Sequence, residues 1–548
     1  MRRMIKALMV LWAGHAGAGN DIWFEDRASA AGIDFQQVSG HGGRHLMPEI
    51  MGGGVALADV DGDGDLDLYL VQSGSLMSND KTRAPGNRLY LNRGDGRFDK
   101  APEAHGADDP GYGMGVAAGD YDNDGDVDLY VTNVGPNVLL RNDGRGYFED
   151  VSAVAGVDHP GWGTAAAFHD LDADGDLDLF LVNYITWGID AELDCYNQGA
   201  LTYCSPNDYD TPAADRLFRN NGDGTFTDLS RTSGISFAFG NGLGTVGADF
   251  DRNGLVDLFV ANDMNINQLW LNQGGLRFTE AALKWGVAVD EHGNVKAGMG
   301  VATGDINDDE LLDLLVVNLE TQTDSLFRNE GAYFRDATRE ARLSADSRKH
   351  TRFGVALADF NNDGLLDIYE ANGRIRRGEG SSGDAFAEPN VLFQGLPGGR
   401  FTQVLPIGGT KAALVHTSRG VAVGDLDDNG GLDLVVVNRD ASVYLLANLV
   451  APQGNWIRFR VVTLPGRDAH GAMVTATIGG RQVLRNVQPD GSYLASSDPR
   501  VHFGLGEETE ITGVTVRWPN GQIESFGDFT AGQIVVLRRG TGTKPSHR

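Results

Sequence analysis

Seven short segments of the chain place acidic residues at alternate positions, each directly before an apolar run. The first, DVDGDGDLD, begins at Asp59, and the others begin at Asp120, Asp170, Asp249, Asp305, Asp359 and Asp425. Carboxylates this close repel one another unless a cation lies among them. Ca²⁺ takes about six to eight oxygen ligands, which a tight turn can supply from side chains and one main-chain carbonyl. The segments therefore predict up to seven calcium sites, one for each loop.

Each predicted site takes its side-chain ligands from loop positions 1, 3, 5 and 9, and position 6 is a turn position that suits glycine. The predicted ligands are Asp59, Asp61, Asp63 and Asp67; Asp120, Asp122, Asp124 and Asp128; Asp170, Asp172, Asp174 and Asp178; Asp249, Asp251, Asn253 and Asp257; Asp305, Asn307, Asp309 and Asp313; Asp359, Asn361, Asp363 and Asp367; and Asp425, Asp427, Asn429 and Asp433. The fifth loop has Glu310 at position 6, so we expect it to bind calcium most weakly. Mg²⁺ fits less well because it gives up water reluctantly and demands a strict octahedron. A solvated acidic turn without a metal is the alternative interpretation.

The loops connect β-strands. Each follows a strand of small residues, such as GGGVALAD, and precedes an apolar strand, such as LDLYLVQ. An EF-hand would need flanking helices and Glu at loop position 12, but that position is apolar in six of the seven copies. A third strand, as in NRLYLNRGDGRF, and a fourth that begins near a phenylalanine complete the repeat. Each repeat therefore predicts a four-stranded antiparallel blade.

The two ends of the repeat region predict a closed ring. The seventh repeat stops after its third strand, whereas an unpartnered strand-like segment, WFEDRASAAGI, lies at residues 23–33. This segment can complete the last blade and remove both sheet edges, which favours a ring over an open solenoid. We predict an all-β chain, with a seven-bladed calcium-binding β-propeller over residues 20–450 and a small β-domain over residues 451–540.

The chain ends and the cysteines predict export. Residues 1–18 have the basic, apolar and small-residue order of a signal peptide, and residues 541–548 resemble a disordered tail. No later apolar run reaches the roughly 20 residues of a membrane span. Cys195 and Cys204 suit a local disulfide, with a pair of free thiols as the alternative. These features favour a secreted, periplasmic or cell-surface protein.

The net charge of −31 argues against nucleic-acid and anionic-membrane partners. However, 30 of the 76 acidic residues lie in the seven loops, where bound calcium would offset much of their charge. We expect a monomer whose acidity is mostly local.

The motifs resemble a known family. The DxDxDGxxD hairpins and GVAxGD strands are similar to the FG-GAP/VCBS repeats of integrin α-subunit propellers. The end of the chain, with RDAHGAMVTATIGG, VHFGLG and VRWPNGQ, resembles the ASPIC/UnbV domain of the cartilage acidic protein-like family. The chain departs from that family in having no cysteine-rich EGF module after the repeats, and GRDAHGAM only approximates the family's Gly-Ala turn. The resemblance implies a secreted calcium-binding propeller without implying one activity.

A ligand site is predicted at the channel mouth on the face opposite the loops. Residues shortly before each first strand should rim that mouth, and the candidates are Tyr112, Trp162, Lys296, His350, Arg352, His416 and Arg419. An aromatic wall facing a basic wall suits an anionic or carbohydrate ligand. Insertions at 72–85, 183–214 and 371–388 share this face and are candidate recognition loops. Unrelated surface residues that share only an offset in the sequence are the alternative.

These observations favour a binding or adhesion module for an extracellular glycan, anionic ligand or protein. The sequence contains no Ser-His-Asp elbow, zinc-type histidine pair or nucleotide loop. The alternative is a propeller enzyme, such as a glycan lyase or a cofactor-free cyclase, with its site at the channel mouth. A purely structural matrix component is a third interpretation.

Overall fold

The computed structural model describes residues 22–77, 86–197, 199–378, 383–451, 454–464 and 466–544. Within these residues the regular structure consists of β-sheets and very short helices, so the predicted all-β class is confirmed. The predicted signal peptide lies outside the described residues. No helix of the described chain is both long enough and apolar enough to cross a membrane.

Each acidic loop joins the first two strands of a four-stranded antiparallel sheet, and the sheets are numbered 1 to 7 in the order of their loops. Sheets 1 to 4 comprise Val55–Ala58, Asp67–Leu70, Arg88–Asn92 and Phe98–Lys100; Gly113–Gly119, Asp128–Asn133, Val138–Asn142 and Phe148–Asp150; Gly163–His169, Asp178–Asn183, Arg216–Asn220 and Phe226–Asp228; and Gly242–Ala248, Asp257–Asn262, Gln268–Asn272 and Phe278–Glu280. Sheets 5 and 6 comprise Val301–Gly304, Asp313–Val316, Ser325–Asn329 and Phe334–Asp336; and Arg352–Ala358, Asp367–Asn372, Val391–Leu396 and Arg400–Gln403.

Sheet 7 contains strands from both ends of the repeat region. Its strands are Ser418–Gly424, Asp433–Asn438, Tyr444–Asn448 and the N-terminal strand Phe24–Asp26. Phe24 pairs with Asn448 and Asp26 with Leu446, in antiparallel register. The first strand of each sheet contacts the first strand of the next, and Ser418–Gly424 contacts Val55–Ala58. The sheets therefore form a closed ring around a central channel.

Short helices lie in the links between the sheets and, for Ile189–Ala191 and Pro206–Tyr209, in the insertion of sheet 3. The α-helices are Ser152–Ala155, Pro206–Tyr209, Ser230–Ser233 and Ala282–Trp285, and the 3-10 helices are Met47–Ile50, Glu103–His105, Ile189–Ala191, Ile235–Phe237, Ser347–Lys349 and Ile407–Gly409. Two small ribbons, Cys195–Asn197 with Ala200–Thr202 and Glu388–Pro389 with Val415–His416, lie in the insertions or beside them. The apolar faces of neighbouring sheets pack together, which forms a series of cores around the ring.

The C-terminal domain has two sheets around its own core. One contains Val501–Gly506, Asn455–Val462 and Gln533–Arg538, and the other contains Arg481–Asn486, Met473–Ile478, Glu510–Arg517 and Ile523–Thr530. The prediction of a disordered tail over residues 541–548 does not hold for its first residues. Thr543 and Ser525 exchange backbone hydrogen bonds of 2.8 and 2.9 Å. Residues 545–548 of that tail lie outside the described residues.

A segment of the C-terminal domain, residues 489–500, enters the central channel; we call it the channel segment. Its strand Ala495–Ser496 pairs in parallel with Val55–Ala56 of sheet 1. Ser492 exchanges backbone hydrogen bonds with Val301 of sheet 5, and the buried Tyr493 donates its hydroxyl proton to the carbonyl oxygen of Met51 at 2.8 Å.

Glycines of the first strands leave room for the channel segment. A Cβ atom added to Gly115, Gly244, Gly300 or Gly420 would lie 3.1 to 3.3 Å from backbone atoms of Ser492, Tyr493 or Leu494. These distances are shorter than ordinary van der Waals contacts. The small-residue strands that precede the acidic loops are therefore also the surface on which the channel segment packs.

Phe24→Ala tests the role of the N-terminal strand. The Phe24 ring is fully buried against Phe360 and Tyr369, with ring centroids 5.4 and 6.0 Å apart. We expect the substitution to lower the free energy of unfolding by about 3–5 kcal/mol in urea titrations with excess calcium. The control Phe237→Ala removes a ring that is 69% exposed and should cost less than about 0.5 kcal/mol. Equal values for the two variants would contradict closure of the ring by this strand.

Candidate functional site at the acidic loops and the channel mouth

The acidic loops share one backbone conformation. Positions 4 and 6 both have positive φ: in the second loop Asn123 is at 60° and Gly125 at 99°. Glu310 in the fifth loop adopts φ 65° where six loops have glycine. Because a side chain at such an angle is strained, the fifth loop remains the one expected to bind a cation most weakly.

The aspartate at position 9 fixes the shape of each loop. In the second loop, Asp128 accepts the backbone N–H of Tyr121 at 3.1 Å through Oδ2 and that of Asn142 at 2.8 Å through Oδ1. The same pair of bonds recurs at Asp67, Asp178, Asp257, Asp313, Asp367 and Asp433. Each carboxylate oxygen keeps a second lone pair, so this aspartate can hold the turn and still face a cation.

Buried oxygens without partners lie at positions 1 and 3. They are Oδ1 of Asp120, Asp122, Asp170, Asp249, Asn307 and Asp427. In the loops that begin at Asp59, Asp120 and Asp249, ligand oxygens of positions 1, 3 and 9 lie within 4.8 Å of one another. A buried polar atom without a partner is unfavourable, and a hard divalent cation would satisfy this set of oxygens. The residues of the loops therefore fit calcium.

The loops differ in the residue at position 3, which is asparagine in the fifth and sixth loops and aspartate in the others. Asn307 and Asn361 donate their amide protons to Asp309 and Asp363 at 2.8 and 2.9 Å. These neutral amides give the neighbouring carboxylates a hydrogen-bond donor without adding charge. The loops with aspartate at position 3 have no such internal donor.

Five arginines of the C-terminal domain lie over the acidic loops. Burial raises the pKa of the first aspartate of every loop, and in each case an arginine charge opposes that rise. The pairs are Asp59 with Arg460, Asp120 and Asp170 with Arg467, Asp249 with Arg517, Asp305 and Asp359 with Arg485, and Asp425 with Arg458. The acidic face of the ring is thus covered by a basic face.

Arg467 and Arg458 show how close this contact is. Arg467 donates to Oδ1 of Asn123 at 3.0 Å and to the carbonyl oxygen of Gly175 at 2.8 Å, which joins the second and third loops. Arg458 is fully buried and forms ion pairs with Asp425 and Asp428 of the seventh loop. Sequence reasoning missed these arginines because they lie outside the repeats.

The predicted basic residues at the opposite mouth are engaged within the protein. Arg352 is fully buried in an ion pair with Asp324, 2.7 Å from Nε to Oδ1. Lys296 donates to the side chains of Thr323 and Ser325, both at 2.9 Å. Arg419 is also fully buried; it donates to the carbonyl oxygen of Ile50 at 2.7 Å. Neither guanidinium group has exposed surface to offer a ligand.

The other predicted mouth residues are also packed. Tyr112 is buried and donates its hydroxyl proton to the carbonyl oxygen of Ser39 at 2.9 Å. Trp162 packs edge-on against Tyr184 with ring centroids 5.0 Å apart. His350 lies 3.5 Å from the carboxylate of Glu388, and His416 is half-buried near Tyr444. These residues therefore contribute mainly to packing at the mouth, where a cavity of about 80 Å³ remains beside Met51 and Tyr203.

The insertion of sheet 3 retains exposed surface. Cys195 and Cys204 form a disulfide, as predicted. Tyr203, next to the disulfide, is buried at the mouth, whereas Tyr196, in the ribbon strand Cys195–Asn197, is 66% exposed. The following link presents Phe237 and Phe239, 69% and 59% exposed. Ala213 at the end of the insertion exchanges backbone hydrogen bonds with Gly240 at the end of that link.

Comparison with known sequences identifies the family. The FG-GAP-like repeat matches residues 59–131, 120–181, 203–260, 249–316 and 305–370, which together cover more than half of the chain. The ASPIC and UnbV family matches residues 463–544. The chain belongs to the FG-GAP repeat family. This FG-GAP protein is 25% identical to cartilage acidic protein 1 of Xenopus tropicalis over 86% of its own length and 61% of that protein. It is 29% identical to the Homo sapiens protein over 54% of its own length and 44% of that protein.

The FG-GAP chain therefore spans less than two thirds of these relatives. Similar solved structures include a lectin from Burkholderia pseudomallei, with a TM-score of 0.44 and 11% identity over 73% of this chain and 96% of that chain. An Agrocybe aegerita lectin that recognises terminal N-acetylglucosamine gives a TM-score of 0.38 and 14% identity over 71% and 86%. Scores this low do not support a functional inference.

Arg467→Met tests the contact between the two domains. The variant loses two hydrogen bonds from a charged group, which should lower the free energy of unfolding by about 1.5–3 kcal/mol. Amide hydrogen exchange at residues 120–128 and 170–178 should accelerate. Arg538→Met is the matched control, since Arg538 is an exposed arginine of the same domain. Unchanged exchange in the Arg467 variant would show that this arginine does not hold the loops.

Proposed function

We propose that this protein is an extracellular, seven-bladed, calcium-stabilised propeller that acts as a binding module. The observation that carries the proposal is the set of buried, unpartnered oxygens at positions 1 and 3 of the acidic loops. Calcium would satisfy these oxygens and offset the mutual repulsion of the carboxylates. An extracellular location is supported by the disulfide and by the similarity to cartilage acidic protein 1.

Calcium in this proposal has a structural role. The loops lie beneath the C-terminal domain, where Arg458 and Arg467 are buried. The domain covers one side of the loops, while the residue at position 5 of each loop is exposed. A cation in each loop would hold the turn against that domain, and recognition is expected on the opposite face, where the insertions lie.

The exposed aromatic side chains of the sheet 3 insertion and of the link from sheet 3 to sheet 4 are the proposed contact surface. Tyr196, Phe237 and Phe239 are all more than half exposed. Such rings can stack on the apolar face of a sugar or become buried in a protein interface. The disulfide and the backbone bonds between Ala213 and Gly240 hold the segments that carry them. A preformed surface of this kind lowers the entropic cost of binding.

Removal of calcium tests the metal assignment. Chelation should lower the melting temperature, because carboxylates beneath the C-terminal domain then repel one another, and Mg²⁺ should restore it poorly. Asp170→Asn should weaken one calcium site in isothermal titration calorimetry, whereas Asp223→Asn, in an exposed turn outside the loops, should leave all sites intact. Absence of calcium binding by the wild-type protein would refute the assignment.

The contact surface is tested with a triple variant, Tyr196→Ser, Phe237→Ser and Phe239→Ser. Calcium-saturated protein would be screened on a glycan array and against purified extracellular proteins. The triple variant should bind the resulting ligand at least about tenfold more weakly, since each aromatic contact contributes about 0.5–1.5 kcal/mol. Val154→Ser with Leu283→Ser is the control, because these side chains are 81% and 68% exposed in equivalent links between sheets. Equal affinity of the triple variant and the wild type would exclude this surface.

A further inference from the structure

Two histidines and a glutamate converge beside the channel mouth. They occur in the sequence HGGRHLMPE as His41, His45 and Glu49, four residues apart. His41 Nδ1 lies 2.8 Å from Glu49 Oε2. The His41 and His45 ring centroids are 5.1 Å apart. The hydroxyl of Tyr203 completes the group, 3.2 Å from His41 Nδ1 and 3.4 Å from Glu49 Oε2.

His45 presents a ring nitrogen at this site. Its backbone has φ 56°, in the left-handed region that histidine adopts more readily than most other residues apart from glycine. Its Nδ1 atom is buried and has no hydrogen-bond partner. The ring packs against Tyr203 with centroids 4.9 Å apart. A buried ring nitrogen without a partner is unfavourable, and a bound cation would satisfy it.

We propose that His41, His45 and Glu49 form a binding site for a divalent cation of the zinc class, separate from the acidic loops. Imidazole nitrogens combined with one carboxylate are ligands that Zn²⁺ and its neighbours prefer, whereas calcium selects oxygen ligands. Tyr203 is placed to orient Glu49 or to supply its phenol oxygen as a fourth ligand. The inference does not depend on the proposed function.

The surroundings of the site are rigid, as a preformed metal site requires. Glu192 of the sheet 3 insertion accepts the backbone N–H of Met47 at 3.3 Å, the indole N–H of Trp187 at 2.7 Å and the hydroxyl of Tyr209 at 2.6 Å. The disulfide at Cys204 fixes the residue next to Tyr203. Glu49 is almost fully buried while His41 is exposed, so a cation could enter from solvent and meet a carboxylate at the bottom of the site.

The experiment titrates Zn²⁺ into full-length protein with calcium in large excess, so that the acidic loops are filled. Calorimetry should show one Zn²⁺ site in the wild-type protein. His41→Ala and His45→Ala should each weaken it at least about tenfold, and Glu49→Gln should do the same with little change in side-chain shape. His292→Ala is the matched control, since His292 is an exposed histidine beside Glu291, and it should bind as the wild type does.

A spectroscopic readout identifies the ligands. Cu²⁺ placed in the same site should give nitrogen hyperfine splitting from two imidazoles, and the His41→Ala, His45→Ala double variant should lose it. Thermal unfolding at saturating calcium would confirm that the variant is folded, since His41 is exposed. Zn²⁺ binding that persists unchanged in the double variant, or a wild-type protein that takes up no Zn²⁺ beyond the acidic loops, would overturn the proposal.

Discussion

The compensation of negative charge on one face of the ring is the constraint on which the rest of the structure depends. Seven acidic loops bring their first aspartates to the same side, and burial beneath a second domain raises the pKa of every one. Without positive charge nearby, these carboxylates would repel one another and destabilise the packing of the C-terminal domain on the ring. Five arginines face them instead, two of them serving two loops each. Cations within the loops and guanidinium groups above them would then share the work of neutralisation.

The contact between the C-terminal domain and the loops also determines how the central channel is occupied. Because the C-terminal domain is held over the loops, its channel segment can enter the ring and pair with sheet 1. Tyr493 then reaches Met51 near the opposite mouth. The channel segment fills part of the channel, and cavities of about 220 and 150 Å³ remain beside it. The insertions and links around the rim are the surfaces that face solvent at the opposite mouth. Because the channel segment contacts each sheet through different residues, sheets with similar sequences have different surroundings in the channel.

The repeated features could be predicted from the sequence because each copy supports the others. Seven aspartate loops, their flanking strands, the N-terminal strand that pairs with Tyr444–Asn448 and the local disulfide all follow from pattern and spacing. The basic mouth did not follow in the same way. Residues at the same distance before each loop have equivalent backbone positions in the ring. The direction of each side chain depends on the partner it finds, and Arg352 forms an ion pair with buried Asp324. The arginines over the loops could not be predicted because they do not recur with the repeats. The reason for the glycines of the first strands also became clear only from the structure, which shows the channel segment packed against them.

The pairing of Phe24–Asp26 with Tyr444–Asn448 has a consequence for biosynthesis. The N-terminal strand is synthesised first, but its pairing partner Tyr444–Asn448 is synthesised last. Sheet 7 therefore cannot be completed until nearly the whole propeller has been synthesised. Such distant pairing slows folding and leaves strand edges open in the meantime. The channel segment is translated later still, so the interior of the ring is filled last. A nascent chain of this kind would depend on chaperones, or on rapid filling of each loop by calcium as it emerges, to stay unaggregated until its two ends meet.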